Sequence, residues 1–325
     1  MEQLRLPGLG EGLGQVETAL RRAVTIEDEF LSEVAGHLIA AGGKRVRPLL
    51  TLGAALAAGG TLGDDAIQGA VSVELVHLGS LYHDDVIDDS AARRGTVSVN
   101  HRWGNLVAIL AGDFLLAKAS EIAAALGTEV AALLARTIGQ LCQGEVSQLR
   151  HAFRPDRSES AYLQAIAGKT ASLMSTSTRI GALVSDAPRT EVEALTAYGH
   201  AIGMTFQIWD DVRDLVETAE LLGKPAGHDM VEGTYTLPVI RALADPEIGD
   251  ELRALLGSPL DDPTRDKARD LILATDGVTD ATLEARRWAT LAEEALDPLR
   301  DRGPDEMFDA LAQLGHRLVD ELPAG

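Results

Sequence analysis

Two short segments carry the residue types best suited to chemistry. The first, DDVIDD, puts aspartate at positions 84, 85, 88 and 89; the second, DDVRD, puts it at 210, 211 and 214. On a helix Asp84 and Asp88 lie four residues apart on one face, as do Asp210 and Asp214. Each segment follows an apolar helical run and so falls near a helix C-terminus. Negative charge there opposes the helix dipole, and like charges at i, i+4 repel. Each effect costs a few tenths of a kcal/mol, up to ~1 kcal/mol. A locally unfavourable choice made twice points to function. Paired carboxylates suit a hard cation such as Mg2+, which completes its shell with waters and substrate phosphates. Two such helices side by side would present a box of carboxylate oxygens for a metal-bridged phosphate.

The other Asp-Asp pairs read differently. Asp64–Asp65 follows Gly63 and Asp261–Asp262 precedes Pro263. Both sit where a helix begins, and acidic residues there cap free amides and suit the dipole.

Lysine and arginine are outnumbered, 29 against 50 aspartates and glutamates, yet they gather near the aspartate segments. In GGKRVRP, residues 42–48, a glycine turn precedes Lys44, Arg45 and Arg47, and Pro48 suits the first turn of the next helix. Exposed glycine backbone with three cations can hold a diphosphate. Arg93 and Arg94 lie just past the first aspartates, Lys169 stands in GKT at 168–170, and Lys224 stands in GKPAGHD. GKT is not a Walker phosphate loop: Leu163 stands where that motif needs glycine, and no strand precedes it.

Apolar residues recur at helical spacing over about 16–40, 46–58, 64–89, 105–126, 128–151, 159–184, 190–220, 236–245, 264–275 and 280–320. Strand signals are nearly absent. The expectation is an all-α chain forming a single domain over 1–325, with residues 1–15 flexible. At 46% apolar, 24% charged and 4% aromatic residues, the core must be mostly Leu, Ala, Val and Ile. A net charge of -21 disfavours nucleic acid and anionic membranes as partners, so an anionic substrate needs a metal ion or a local basic cluster. The lone Cys142 permits no intramolecular disulfide and fits a reducing, cytoplasmic setting. The N-terminus lacks the basic-then-apolar pattern of a signal peptide. The most apolar long run, 106–126, carries Asp113, Lys118 and Glu121, which fits a core helix rather than a transmembrane segment.

GGKRVRP, DDVID followed by RRG, GEVSQL at 144–149, GKT, FQIWDDVRD and GKPAGHDMVEGTYTLP resemble, in order and spacing, the trans-prenyltransferases. The likeness is to the polyprenyl diphosphate synthases of long-chain bacterial type and covers about residues 35–245. It implies an isoprenoid-synthase helical bundle with a central apolar cavity, a homodimer, and an enzyme that condenses isopentenyl diphosphate head-to-tail onto a farnesyl or geranylgeranyl diphosphate. It implies Mg2+ as cofactor, three ions per site with substrate bound. By position, Asp84, Asp88 and Asp210 would ligate Mg2+, with Asp85, Asp211 and Asp214 as weaker or water-mediated partners. Lys44, Arg47, Arg94 and His77 would hold isopentenyl diphosphate. Arg93, Lys169 and Lys224 would hold the allylic diphosphate. Thr170 and Gln207 would set their oxygens near the developing cation.

The resemblance also speaks to product length, through residues just before the first aspartates. Gly79 and Ser80 are small where bulky residues would close the tunnel early. With Ser80 about one turn below Asp84 and Val76 about a turn deeper, an open floor implies products of roughly C30–C50. The first motif also lacks the two-residue insertion typical of bacterial short-chain synthases. One departure is Thr234, where many members carry lysine. Loss of that cation implies weaker allylic binding, so Thr234→Lys is expected to lower the allylic KM; an unchanged KM removes the idea. A geranylgeranyl (C20) synthase is the alternative within the family. A class I terpene cyclase generally lacks GGKRVRP, and a non-catalytic partner subunit usually lacks the aspartate motifs. An acidic helical scaffold leaves six ordered motifs unexplained.

Overall fold

The computed structural model describes residues 6–218 and 225–322. The periodic segments become helices: α1 (Gly10–Val24), α2 (Glu29–Ala40), α3 (Val46–Ala57), α4 (Asp64–Ile87), α5 (Val99–Trp103), α6 (Asn105–Ala125), α7 (Thr128–Arg150), α8 (Glu159–Ile166), α9 (Ser172–Leu183) and α10 (Arg189–Val216). Shorter helices and the longer Asp262–Leu273 and Gly277–Ala295 complete the described chain. The fold is all-α.

Three expected long helices are interrupted, each for a local reason. The 16–40 pattern breaks because Asp28 caps a new helix, its carboxylate accepting from the Leu31 amide at 2.9 Å. The 159–184 pattern holds a π-helical turn, Ala167–Ala171, between α8 and α9. The 280–320 pattern ends at Ala295 and resumes at Asp305, with Pro298 and Pro304 between. The two expected capping pairs separate. Asp261 does cap its helix, accepting from the Thr264 amide at 3.0 Å. The α4 cap is Gly63, without a side-chain bond, and Asp64 and Asp65 serve the dipole from the first turn.

Strands are limited, among the described residues, to Ala92–Arg93 and Thr96–Val97, paired antiparallel. The two residues between them, Arg94 (φ 54) and Gly95 (φ 72), are both left-handed, the geometry of a tight two-residue hairpin. Arginine in that turn is no sequence signal for a hairpin, so the periodic pattern gives no warning of it.

The chain divides into two units, Met1–Ile138 with Leu173–Gly199 and Leu296–Leu311, and Gly139–Ser172 with His200–Ala295 and Ala312–Gly325. In the first unit α4 packs chiefly against α6 and α3, and also meets α1. Apolar residues on several faces of α4 are therefore buried. Close helix approach explains two of its glycines: a Cβ on Gly79 would lie 3.0 Å from the Gly112 carbonyl oxygen, and one on Gly69 2.7 Å from Ile180. Tyr82 joins α4 to α2 by donating to the Val34 carbonyl at 2.7 Å. In the second unit Gly277–Ala295 packs against Leu237–Ala242 and Leu314–Val319. Among the described residues no helix is long and apolar enough to cross a membrane.

Candidate active site

The first aspartate segment forms the end of α4. Asp84 and Asp85 close the helix, Asp88 is its C-cap with its amide bonded to the Asp84 carbonyl at 2.8 Å, and Asp89 leaves it at φ 50. Asp84 is half-buried, Asp88 exposed and Asp85 fully buried. The hairpin returns Arg93 to the segment, where Nε and Nη2 both reach Asp85 Oδ1 at 2.7 Å. Asn100 donates to the Asp85 carbonyl at 2.9 Å, while Asp85 Oδ2 is buried without a hydrogen-bond partner. Burial pushes the Asp85 carboxyl up, and Arg93 opposes that shift. Two residues expected to serve metal and allylic diphosphate are thus bound to each other.

The cationic cluster is built by the α2–α3 loop. Gly43 (φ 149) has no side chain because a Cβ would lie 2.8 Å from Arg94 Cζ. Arg94 can then donate to the carbonyls of Leu38, at 3.2 Å, and of Gly42. Arg45 is left-handed (φ 49) and buried, and it grips Glu17, the Ile39 carbonyl at 3.2 Å and Glu74 Oε1 at 2.9 Å. Glu74 is also 3.8 Å from Arg94 Nη2 and is 1% exposed. Arg47 Nε is buried without a hydrogen-bond partner. Burial lowers its pKa to about 10; Glu74 and Asp84 oppose this and Arg94 adds to it. Burial and the neighbouring arginines hold His77 well below the usual imidazole range, so its ring is neutral. Lys44 sits exposed at the loop. Glu74 is a site residue that the motifs do not include. Its signal is a carboxylate inside an apolar helical run, which burial permits only with partners.

Of the positions expected to set product length, Val76 and Gly79 are buried, and Gly79 is pressed against α6. Ser80 remains partly exposed, its hydroxyl donating to the His77 carbonyl at 2.8 Å.

The second aspartate segment lies near the end of α10. Asp210 is exposed, whereas Asp211 and Asp214 are each 4% exposed. Asp211 accepts from the Tyr162 hydroxyl at 2.5 Å and from Gln207 Nε2 at 2.8 Å. Gln207 Oε1 in turn accepts from Thr170 Oγ1 at 2.6 Å. Burial pushes Asp211 well above the usual carboxylate range, Asp229 and Asp210 add to this, and the two donors oppose it. Asp214 receives the Asp229 amide at 3.2 Å on Oδ2 and the Gly227 amide at 2.7 Å on its carbonyl. Lys224 lies outside the described residues. The Thr234 amide donates to the Asp229 carbonyl at 2.8 Å.

Lys169 and Thr170 lie in the π-helical turn, a widening often found at functional sites. Lys169 pairs with Glu145 at 2.5 Å. GEVSQL explains itself here: a Cβ on its Gly144 would lie 2.6 Å from the Lys169 amide nitrogen, so only glycine lets α7 pass the turn this closely. The Glu145 pairing is not a motif signal, because its partner lies well along the chain.

The donors offered by both aspartate segments are carboxylate oxygens, which suits a hard divalent ion. Among the described residues, no group of three or more His, Cys, Asp or Glu could hold a metal ion. A metal held by these aspartates would draw its remaining ligands from a diphosphate and water, as Mg2+ characteristically does.

The polyprenyl synthetase family pattern matches residues 28–272. Heptaprenyl diphosphate synthase component 2 of Geobacillus stearothermophilus is 40% identical over 292 residues, covering 90% of this chain and 91% of that protein. The structure of a decaprenyl diphosphate synthase from Rhodobacter capsulatus aligns with TM-score 0.88 and 34% identity, over 97% of this chain and 98% of that one. A polyprenyl synthase from Caulobacter crescentus CB15, complexed with calcium and isoprenyl diphosphate, aligns with TM-score 0.88 and 32% identity, over 98% and 97%.

Proposed function

We propose that this chain, which belongs to the polyprenyl synthetase family and is a prenyltransferase, is a long-chain polyprenyl diphosphate synthase that extends a farnesyl or geranylgeranyl primer with isopentenyl diphosphate. The observation that carries this reading is α4. The helix sets Glu74 and His77 beside Arg45, Arg47 and Arg94, of which Arg45 is buried, and ends at Asp84 and Asp88. One rigid helix thus joins the cationic cluster of the α2–α3 loop and the hairpin to carboxylates that could hold a metal, which suits an enzyme that handles two diphosphates.

In this reading Lys44, Arg47, Arg94 and neutral His77 bind isopentenyl diphosphate, His77 as a hydrogen-bond donor rather than a charge. Asp84 and Asp88 of the first segment and Asp210 of the second would hold Mg2+, three ions in the loaded enzyme. When bound, Mg2+ would supply positive charge against the negative charge that grows on the diphosphate as the allylic C–O bond breaks. Lys169 exchanges Glu145 for the allylic diphosphate, and Lys224 assists it. Thr170 and Gln207 present oxygens to the developing cation, a fixed electrostatic complement to the transition state. The new C–C bond forms, and the released diphosphate takes the final proton. Asp85 and Arg93 support the first segment from within, and Asp211 and Asp214 support the second.

The heptaprenyl and decaprenyl products named for two relatives favour a long chain. Ser80, the partly exposed member of the length-setting positions, is the place to alter it. Ser80→Phe is expected to shorten the main product made from farnesyl diphosphate and excess isopentenyl diphosphate, read by chromatography of the dephosphorylated alcohols. An unchanged product length removes Ser80 from the wall. A sole geranylgeranyl (C20) product from the unaltered chain contradicts the long-chain reading.

We further propose a homodimer working in the cytoplasm. Leu106, Ile109 and Leu110, 70%, 41% and 57% exposed, form an i, i+3, i+4 stripe on α6 that a second copy would cover.

A further inference from the structure

Four side chains of the second unit form one hydrogen-bonded row. Thr170 Oγ1 donates to Gln207 Oε1 at 2.6 Å, Gln207 Nε2 donates to Asp211 Oδ1 at 2.8 Å, and the Tyr162 hydroxyl donates to Asp211 Oδ2 at 2.5 Å. Tyr162 is fully enclosed, with the Arg157 guanidinium 5.5 Å from its ring centroid. Arg157 is itself fixed by donating to the Tyr235 carbonyl at 3.3 Å.

The row has a direction. Tyr162 and Gln207 Nε2 both donate to Asp211, so its two oxygens are occupied as acceptors, the NH2 end of the Gln207 amide faces Asp211, and the carbonyl end is left for Thr170. The Thr170 proton is then committed to Gln207, and its lone pairs stay free. Were the amide reversed, its NH2 would meet the Thr170 hydroxyl and its positive edge would face the developing cation. Which end of Gln207 faces the chemistry is therefore decided at Asp211, and Tyr162 is the donor that occupies the other oxygen of that carboxylate.

We infer that Tyr162 is a positioning residue: by donating to Asp211 it fixes the amide of Gln207, so that Gln207 and Thr170 turn oxygen lone pairs, rather than donors, toward the developing cation. This rests on the proposed role of Thr170 and Gln207 in the prenyl transfer. It also gives Asp211 a task other than metal binding.

Tyr162 touches no substrate in this account, so its removal acts only through Gln207. Tyr162→Phe is expected to lower kcat about ten-fold, equivalent to about 1.4 kcal/mol. Both KM values should stay within two-fold. The discriminating measurement is a double-mutant cycle with Gln207→Leu. In the Gln207→Leu background, Tyr162→Phe should change kcat less than two-fold. An equal loss in both backgrounds, or no loss in the unaltered chain, overturns the inference. Asp211→Asn serves if Tyr162→Phe does not fold, since it is isosteric and can present an amide donor to Gln207. It is expected to lower kcat with the half-saturating Mg2+ concentration unchanged. A raised Mg2+ requirement assigns Asp211 to the metal and overturns the inference. Inactivity of the unaltered chain is a separate result, which counts against the proposed function itself.

Discussion

Asp84→Ala is expected to reduce incorporation of labelled isopentenyl diphosphate by about two to three orders of magnitude, the scale on which removing a preorganised transition-state group acts. Asp84 and Asp88 share a face at the end of α4, and Asp84 retains exposure while its neighbour Asp85 is buried against Arg93. The loss should appear in kcat/KM for the allylic substrate. It should not appear in thermal stability, because removing a carboxylate from a helix C-terminus relieves an unfavourable charge. Raising the Mg2+ concentration should restore little. A variant that keeps more than a tenth of the activity would show that the first aspartate segment does not carry the metal.

Glu74→Ala is expected to have the largest effect on stability. Glu74 is 1% exposed, binds Arg45 at 2.9 Å and lies 3.8 Å from Arg94. Removing one partner of a buried ionic cluster leaves uncompensated charge, at a cost of about 3–5 kcal/mol. Urea or thermal unfolding should show a clearly lowered midpoint. Glu74→Gln should be milder, since its amide oxygen can still accept from Arg45. An unchanged midpoint for Glu74→Ala would mean that Glu17 and the loop carbonyls hold the arginines without it.

The parts of this site that were legible in the sequence are those whose signal is local. Charge at the wrong end of an apolar helix marks Asp84, Asp88 and Asp210, because helix geometry converts spacing into a shared face. GGKRVRP shows its cations, and its glycine turn announces an opening. What could not be read was how those cations divide their work. Arg45 and Arg47 look alike in the sequence, yet Arg45 is an anchor between Glu17 and Glu74, whereas Arg47 keeps a buried Nε without a partner. That distinction depends on residues brought in from α1 and α4. Glu145 and Tyr162 escaped for the same reason, their partners Lys169 and Asp211 being set by tertiary packing. The π-helical turn has no periodic signature. Gly79 carried two meanings at once: its small size suits an open tunnel floor, but the Gly112 carbonyl demands the same residue for packing. Ser80 is therefore the better reporter of product length.

The most direct test of the central claim is Mg2+-dependent incorporation of labelled isopentenyl diphosphate by the purified chain alone, with farnesyl or geranylgeranyl diphosphate as primer. Incorporation is expected, stopping when Mg2+ is chelated, with a polyprenyl diphosphate longer than twenty carbons as the extracted product. No incorporation with either primer would contradict that claim.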